Sequence, residues 1–311
     1  MATEAPPRSP RISVLIPVKD GANTLPQLLD ALASQQTMYD VETFAIDSGS
    51  RDGSVELMKE RGLRVESIAS SAFDHGDTRN RAIAGTSGDI AVLLTQDAIP
   101  SGPRFLDAIA APFSEPNVAG VYGRQIPRSD CDVITQRHLE GSLTGRSEHA
   151  HSSLGDKQLI DLPPGERHAL CVFDNVCSAV RRSTWEKIPF PRTEFGEDIA
   201  WGKSAIESGH TIAYTPDASV IHSHRRSILY EYSRTRICHQ KLNELFDLAT
   251  VPRPRDVARA VTFNWRNDVP YVSRQPLGRI EKLRQLGRTV GLSVLSPIAQ
   301  YQGIRDARRR R

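Results

Sequence analysis

The sequence has no run of apolar residues approaching the roughly 18 to 20 that cross a bilayer. Its opening, "MATEAPPRSP", lacks the charged-then-apolar order of a signal peptide. Both absences predict a chain that stays in the cytoplasm, at most peripheral on the inner face of the membrane. Four cysteines, Cys131, Cys171, Cys177 and Cys238, stand without CxxC spacing. That excludes a zinc ribbon and a disulfide framework and leaves them as small buried hydrophobes. The net charge is only +3 over 311 residues, so the total demands no nucleic acid partner. Also missing is the GxGxxG phrase that lets a backbone approach a pyrophosphate: "VKDGANT" supplies one glycine, which argues against a dinucleotide oxidoreductase. There is no internal repeat, and no low-complexity segment beyond the terminal arginines of "RDARRRR", a tail that could be solvated or sit on anionic lipid.

What remains is 39% hydrophobic, enough for one large domain or a domain with an appended helical tail. Residues 1–10 are expected to be disordered. "RISVLIPV" is a β-branched run suited to a strand buried on both faces. It leads into a helix over "TLPQLLDALASQQ", with Asn23 as its cap and Pro26 in the first turn. "VETFAID", "RVESIA" and "DIAVLLT" read as further strands, separated by helices over "DGSVELMKERG" and "DTRNRAIAGTSG". Such alternation predicts an α/β fold with a mostly parallel, Rossmann-like sheet flanked by helices. Beyond residue 103 the rhythm loosens. A helix "GPRFLDAIAAPF" and a strand "VAGVYGRQIP" precede an aperiodic polar stretch over 128–165. "ALCVFDNVCSAVRRSTWEKIPF" then reads as a strand with a helix beginning at Ser183, "EDIAWGKSAIESG" as a helix closed by Gly209, and "TIAYTPDASVIHSH" as strand. From Ile228 on the pattern is helical.

In open sheets of this kind ligands bind beyond the carboxyl ends of the strands. That rule selects the turn from Pro17 to Asp20, then Asp47, then Asp97 in "LLTQDAIP". A carboxylate at a strand's mouth is either a turn former or a ligand for something positive. "VIHSH" places His222 and His224 two apart, which on a strand turns both imidazoles to one face. "GEDIAW" sets two adjacent carboxylates, Glu197 and Asp198, at a helix start. They either favour the positive end of that helix or divide a chemical task, because neighbours on a helix face different directions.

Taken in order, "SVLIPVKD", "DSGSRDGS", "FDHGDTRNRA", "TQDA", "FGEDIAWG" and "HSHRRS" resemble the motifs of family 2 glycosyltransferases of the GT-A fold, over roughly residues 11–235. "FDHGDTRNRA" is similar to the phrase that bacterial dTDP-rhamnose-dependent rhamnosyltransferases carry at this point. The resemblance implies a catalytic domain over 11–235, with its nucleotide-binding half at about 11–100 and its acceptor half at 101–235, followed by a helical C-terminal extension over 236–311. It implies an inverting transfer of a sugar, L-rhamnose from dTDP-L-rhamnose, to a hydroxyl of a cell-surface polysaccharide or lipid-linked glycan. Asp198 would be the base and Glu197 would orient the acceptor or the helix. Pro17, Val18, Asp20, Asp47, Ser48, Gln96 and Asp97 would face the nucleotide-sugar. Arg79, which begins a helix in "DTRNRA", either reaches the diphosphate or base or stays solvated. Trp201, three residues after Asp198 on the same helix, is either a core residue, the commoner use of a tryptophan, or lines the acceptor side.

In the family the strand-ending motif is usually Asp-x-Asp. Here the triplet is Thr95, Gln96, Asp97, so one carboxylate carries over. The resemblance therefore implies a divalent cation, Mn2+ or Mg2+, on Asp97 with His222 or His224, since either ion is commonly held by one or two protein oxygens plus phosphate and water. Two other readings stay open on the sequence: a sugar nucleotidyltransferase, and a non-catalytic glycan- or nucleotide-sugar-binding protein on the same fold. The C-terminal helices could pack on the catalytic domain, join subunits into a homo-oligomer, or lie on a membrane surface.

Overall fold

A computed structural model describes residues 10–310. The expected disorder of 1–10 therefore lies, up to residue 9, outside the described residues. In chain order the elements are β1 (Arg11–Val18), α1 (Leu25–Ala33), β2 (Asp40–Asp47), α2 (Ser54–Glu60), β3 (Arg64–Ser67), α3 (His75–Ala84), β4 (Ile90–Leu94), β5 (Ile99–Pro100), α4 (Phe105–Ala110), β6 (Val118–Ile126), α5 (Val133–Glu140), β7 (Ala150–Ser152), α6 (Pro164–Cys171), β8 (Cys177–Arg181), α7 (Arg182–Trp185), α8 (Glu197–Glu207), β9 (Thr211–Ile221), α9 (Ile228–Phe246), α10 (Pro254–Ser273) and α11 (Arg279–Arg310).

The chain divides into two compact units. The first holds residues up to Ile126, then Thr144–Asp156 and Cys171–His222; the second holds Pro127–Leu143, Lys157–Leu170 and Ser223–Arg311. Residue 235, where the sequence suggests the catalytic domain ends, falls inside α9.

The first unit is built on one sheet in the order β3-β2-β1-β4-β8-β6-β9-β5, with β7 pairing β9. β3, β2, β1 and β4 are parallel, as the βαβ alternation requires. β8 runs against both β4 and β6, and β6 and β9 are parallel. So β1, β2, β4, β6 and β9 all end at one edge, and β8 begins there. The apolar runs explain the middle of the sheet: every residue of β4 is buried, and Ile12 to Ile16 of β1 are sealed from solvent. Such strands are covered on both faces and need no polar alternation.

Several local expectations are corrected. Thr24 rather than Asn23 stands at the start of α1, with no side-chain cap. "ALC" closes the helix α6, and the strand begins only at Cys177, because the polar pair Asp174–Asn175 breaks the apolar run. The stretch 128–165 contains two helix starts and the short strand β7. β9 carries Pro216 inside the strand. The ladder tolerates it because the register with β6 slips from Gly123↔Thr215 to Arg124↔Ser219, a bulge where a missing N–H costs nothing. β9 ends at Ile221, so both histidines follow the strand and are not part of it.

The second unit is helical. α9 and α11 lie close at Gly303, where an added Cβ would collide with the carbonyl of Arg236. Nearby, Arg236 Nε sits 2.6 Å from Asp306 Oδ2 and Tyr232 bonds Gln302. Asp132 caps α5 by accepting from the Thr135 amide and also pairs with Arg288 at 3.2 Å. Gly303→Val should destabilise this unit by about 3 kcal/mol, the scale of overpacking at a tight contact; a denaturant titration following helix content by circular dichroism reads it, and an unchanged midpoint would contradict the close approach.

Candidate active site

The polar residues of the first unit collect at the edge where its strands end. After β1 the chain turns with Asp20 in the left-handed region, φ 47°. That turn is knitted to the loop after β2. The Asp20 amide donates to Ser50 Oγ, Asp20 Oδ1 accepts from the Arg51 amide, and Ser48 Oγ donates to the Val18 carbonyl. Asp47, 2% exposed, accepts from the amides of Gly49 and Ser50 and so holds the loop open. Gln96 ties in the end of β4: its Oε1 accepts from the Lys19 amide at 2.8 Å and its Nε2 donates to the Lys19 carbonyl at 2.9 Å. Pro17, Val18, Asp20, Asp47, Ser48, Gln96 and Asp97 thus belong to one continuous wall, largely through backbone and short side chains.

Asp97 follows Gln96 in the turn between β4 and β5. β5 pairs antiparallel with β9, Ile99 opposite Ile221, which carries the preceding Asp97 alongside His222. His222 Nε2 lies 3.6 Å from Asp97 Oδ1. Both side chains are largely covered, and the two form an Asp/His group able to hold a cation. The Thr95 hydroxyl, standing where the family's first aspartate would be, is buried with no hydrogen-bond partner among the described residues. One carboxylate, one imidazole and an idle hydroxyl suit Mn2+ or Mg2+ completed by phosphate oxygens and water. His224 is two residues on, at the start of the second unit. A two-residue step spans at most about 7 Å, so the chain itself limits how far it can stray.

From His222 a line of hydrogen bonds runs along the sheet edge. His222 Nδ1 is 2.8 Å from Gln125 Oε1, and Gln125 Nε2 donates to Asp174 Oδ2 at 2.6 Å. Asn175, next in the chain, donates from Nδ2 to Glu197 Oε1 at 3.1 Å, and its amide donates to Asp198 Oδ2 at 3.3 Å. Glu197 in turn meets Arg79 at 2.9 Å. The residues chosen for cation binding and for base chemistry therefore share one edge and one polar network. Gln125, Asp174 and Asn175 escape sequence reasoning because they interrupt or end apolar runs, where polar residues look like turn formers.

α8 explains how the adjacent carboxylates divide. Gly196, at φ 74°, takes a turn that favours glycine and starts the helix abruptly. Glu197, 5% exposed, then points to Arg79 and Asn175. Asp198 keeps part of its surface open and accepts from the amide of Ile199 at 2.8 Å. Burial, then the charges of Glu197 and Asp174, push its pKa up from 3.8 to about 8. His75, stacked edge-on against Phe73, has its pKa lowered mainly by burial, and Glu197 opposes that shift.

Two open alternatives narrow. Arg79 is 5% exposed and so not solvated; its Nη1 meets Glu197 and the His75 carbonyl, while its Nε is buried with no hydrogen-bond partner among the described residues. Trp201 is fully buried, with its indole N–H on the Ile188 carbonyl at 2.8 Å and its ring against Phe173 and Phe190, so it is a core residue and offers no face to an acceptor.

A parallel-edged sheet with a strand-ending aspartate, followed by an acidic helix start on the same edge, is the arrangement of the GT-A class of glycosyltransferases. The profile of Glycosyl transferase family 2 matches residues 13–185, and the chain belongs to that family. It is 32% identical over 228 residues to the O-antigen chain rhamnosyltransferase RfbN of Salmonella typhimurium, covering 72% of this chain and 70% of that protein. It is 33% identical over 207 residues to the O-antigen chain rhamnosyltransferase WbaN of Salmonella anatum, covering 64% and 62%. Among solved structures, the mannosyltransferase PcManGT from Pyrobaculum calidifontis, in complex with GDP-Man and Mn2+, shares the fold with a TM-score of 0.54. It is 15% identical and is covered over 96% of this chain and 74% of its own.

Glu197→Gln removes one partner of a buried ion pair and leaves Arg79 uncompensated, which should cost about 3 kcal/mol of stability. It also removes a charge that raises Asp198, so that carboxyl should titrate at lower pH. Denaturant melts and a 13C NMR titration of the Asp198 carboxyl check both; an Asp198 titration that stays in place would remove Glu197 from its electrostatics.

Proposed function

We propose that the protein is an inverting glycosyltransferase that moves L-rhamnose from dTDP-L-rhamnose to a hydroxyl of a cell-surface polysaccharide or lipid-linked glycan. The observation that carries the reading is the single polar network joining Asp97 and His222 to Asp198. The likeness to two O-antigen rhamnosyltransferases supports the sugar. Family membership sets aside the nucleotidyltransferase alternative.

Displacement at the anomeric carbon needs a base for the incoming hydroxyl and a sink for charge on the departing diphosphate. Asp198 accepts the acceptor's proton as the hydroxyl oxygen bonds to the anomeric carbon and the carbon–oxygen bond to the diphosphate breaks. A carboxyl poised near neutrality is a stronger base than an ordinary aspartate. Glu197, held by Arg79 and Asn175, keeps the start of α8 and hence Asp198 in place. The wall from Pro17 to Asp20, with Asp47, Ser48 and Gln96, seats the nucleotide. Asp97 with His222, and with His224 two residues on, would hold Mn2+ or Mg2+, which when bound supplies positive charge for the diphosphate. A single in-line displacement leaves no covalent sugar intermediate on the protein.

Asp198→Asn should lower kcat/KM for dTDP release by about 10^2 to 10^4, the usual worth of a general base. In the wild type kcat/KM should climb with pH toward about 8, as the carboxyl gives up its proton. Because folding raises this pKa, the folded state holds the proton more tightly than the unfolded chain, and stability falls as pH rises from 3.8 to about 8. The same Asp198→Asn substitution should therefore stabilise the fold well above pH 8, with the gap closing toward pH 4. Full activity in that variant would end the assignment, and dTDP release indifferent to chelator would remove the cation. A thermal-shift panel of nucleotide-sugars with Mn2+ checks the donor.

A lipid-linked acceptor calls for a surface that meets a membrane, and the composition of the second unit supports one. It carries 23 Lys and Arg against 12 Asp and Glu, net +11 in a chain whose total is +3. Of the twelve large hydrophobic side chains exposed among the described residues, ten belong to it. On α10, Arg255, Arg259, Phe263 and Arg266 share one exposed face at helical spacing, with Trp265 beside them. No helix among the described residues is long and apolar enough to cross a membrane, so contact would be peripheral. The protein should cosediment with phosphatidylglycerol vesicles, not phosphatidylcholine vesicles, and release as salt rises. Equal affinity for both would refute an anionic surface, and a salt-stable dimer in light scattering would assign these side chains to a second copy.

A further inference from the structure

Gln125 is a side chain that neither the family resemblance nor the sequence reading singles out, yet it stands between the cation-side imidazole and the carboxylate next to the base. Its amide has an acceptor end and a donor end, and the neighbours fix which is which. Asp174 Oδ2, as a carboxylate oxygen, can only accept, so the group 2.6 Å from it is the amide NH2 of Gln125. Asp174 is itself oriented, its other oxygen accepting from the Val176 amide at 2.9 Å. The carbonyl end of Gln125 must then face His222 Nδ1 at 2.8 Å, and only an N–H can bond to it. His222 is thereby held with its proton on Nδ1. In the neutral ring this leaves the lone pair on Nε2, the nitrogen that lies 3.6 Å from Asp97 Oδ1.

The backbone supports the arrangement. The His222 amide donates to the Ile126 carbonyl at 2.9 Å, and Gln125 and His222 are each 8% exposed, so water competes weakly for either bond. The register slip at Arg124↔Ser219 sets this phase: without it the residue opposite Gln125 would be Asp217 in place of Val220.

We propose that Gln125, clamped by Asp174, is a positioning residue that selects the Nδ1–H tautomer of His222 and so presents Nε2 to a divalent cation. The inference deepens the proposed function and rests on its cation site for its consequence, though the tautomer itself does not. A carboxylate that also bears on Asp198 thus sets the protonation pattern of the cation-side histidine, linking the two ends of the site through one amide.

The test uses the full chain, 15N-labelled at histidine. In the metal-free wild type, long-range 1H–15N spectra at a pH where the ring is neutral should show His222 with Nδ1 protonated and Nε2 bare. Asp174→Asn is the discriminating variant, since it keeps the shape and does not touch His222. With a donor in place of a carboxylate oxygen, the Gln125 amide is free to turn over and offer its NH2 to Nδ1, which moves the ring proton to Nε2. Mn2+ affinity by calorimetry should fall about 10- to 100-fold, the usual cost of losing an outer partner of a ligating histidine. Gln125→Leu should do the same, while Gln125→Glu, which keeps an acceptor toward Nδ1, should retain the Nδ1–H form. An Nε2–H ring in the wild type, or a tautomer unchanged in both Asp174→Asn and Gln125→Leu, would overturn the proposal. Wild type that shows the Nδ1–H ring but ignores Mn2+ would instead strike down the cation reading and leave the clamp standing.

Discussion

One guanidinium stands against three carboxylates at the working edge of this protein. Arg79 pairs directly with Glu197 and lowers the pKa of Asp198, while Glu197 and Asp174 raise it. Burial magnifies every one of these effects, because charge is poorly screened away from water. The balance leaves Glu197 with a buried structural partner and Asp198 as a carboxyl whose pKa is raised to about 8. Neighbours along a helix can be treated so differently because they leave it in different directions, one into the protein and one toward the open edge.

That balance depends in turn on the sheet. Strands β1, β2, β4, β6 and β9 end together, and β8, running against its neighbours, begins at the same edge. Loops there cannot satisfy one another through a ladder, so polar atoms at this edge are paired individually: Ser48 with Val18, Gln96 with Lys19, and, from the end of β6, the Gln125 side chain with His222 and Asp174. Each bond is modest on its own. Together they hold the turn after β1, the Asp97–His222 pair and Asp198 in one frame, the fixed geometry that the proposed displacement would require.

Much of this was legible before any coordinates. Alternating apolar runs and helical periods announce a parallel sheet, and the rule that ligands gather at strand ends points to Asp47 and Asp97 without further help. The paired acids Glu197 and Asp198 were visible as a helix start after glycine, but whether they serve the helix dipole or divide a chemical task was not. Arg79 and Trp201 each kept two readings on the sequence for a shared reason. A guanidinium or an indole can serve solvent, ligand or core equally well, and only burial separates these uses. Gln125, Asp174 and Asn175 were passed over because a polar residue beside an apolar run usually marks a turn, and their partners are as far as 97 residues away.

The sequence by itself determined the class of fold and the kinds of group available, since periodicity, turn residues and a missing aspartate in "TQDA" are local properties of the chain. Tertiary structure decided which of those groups act together. The slip in β9, the antiparallel insertion of β8 and the pairing of β5 with β9 are settled by long-range register, and each moves a side chain from one neighbour to another. Pairing free energies of that kind depend on both strands at once, so no single stretch of sequence displays them.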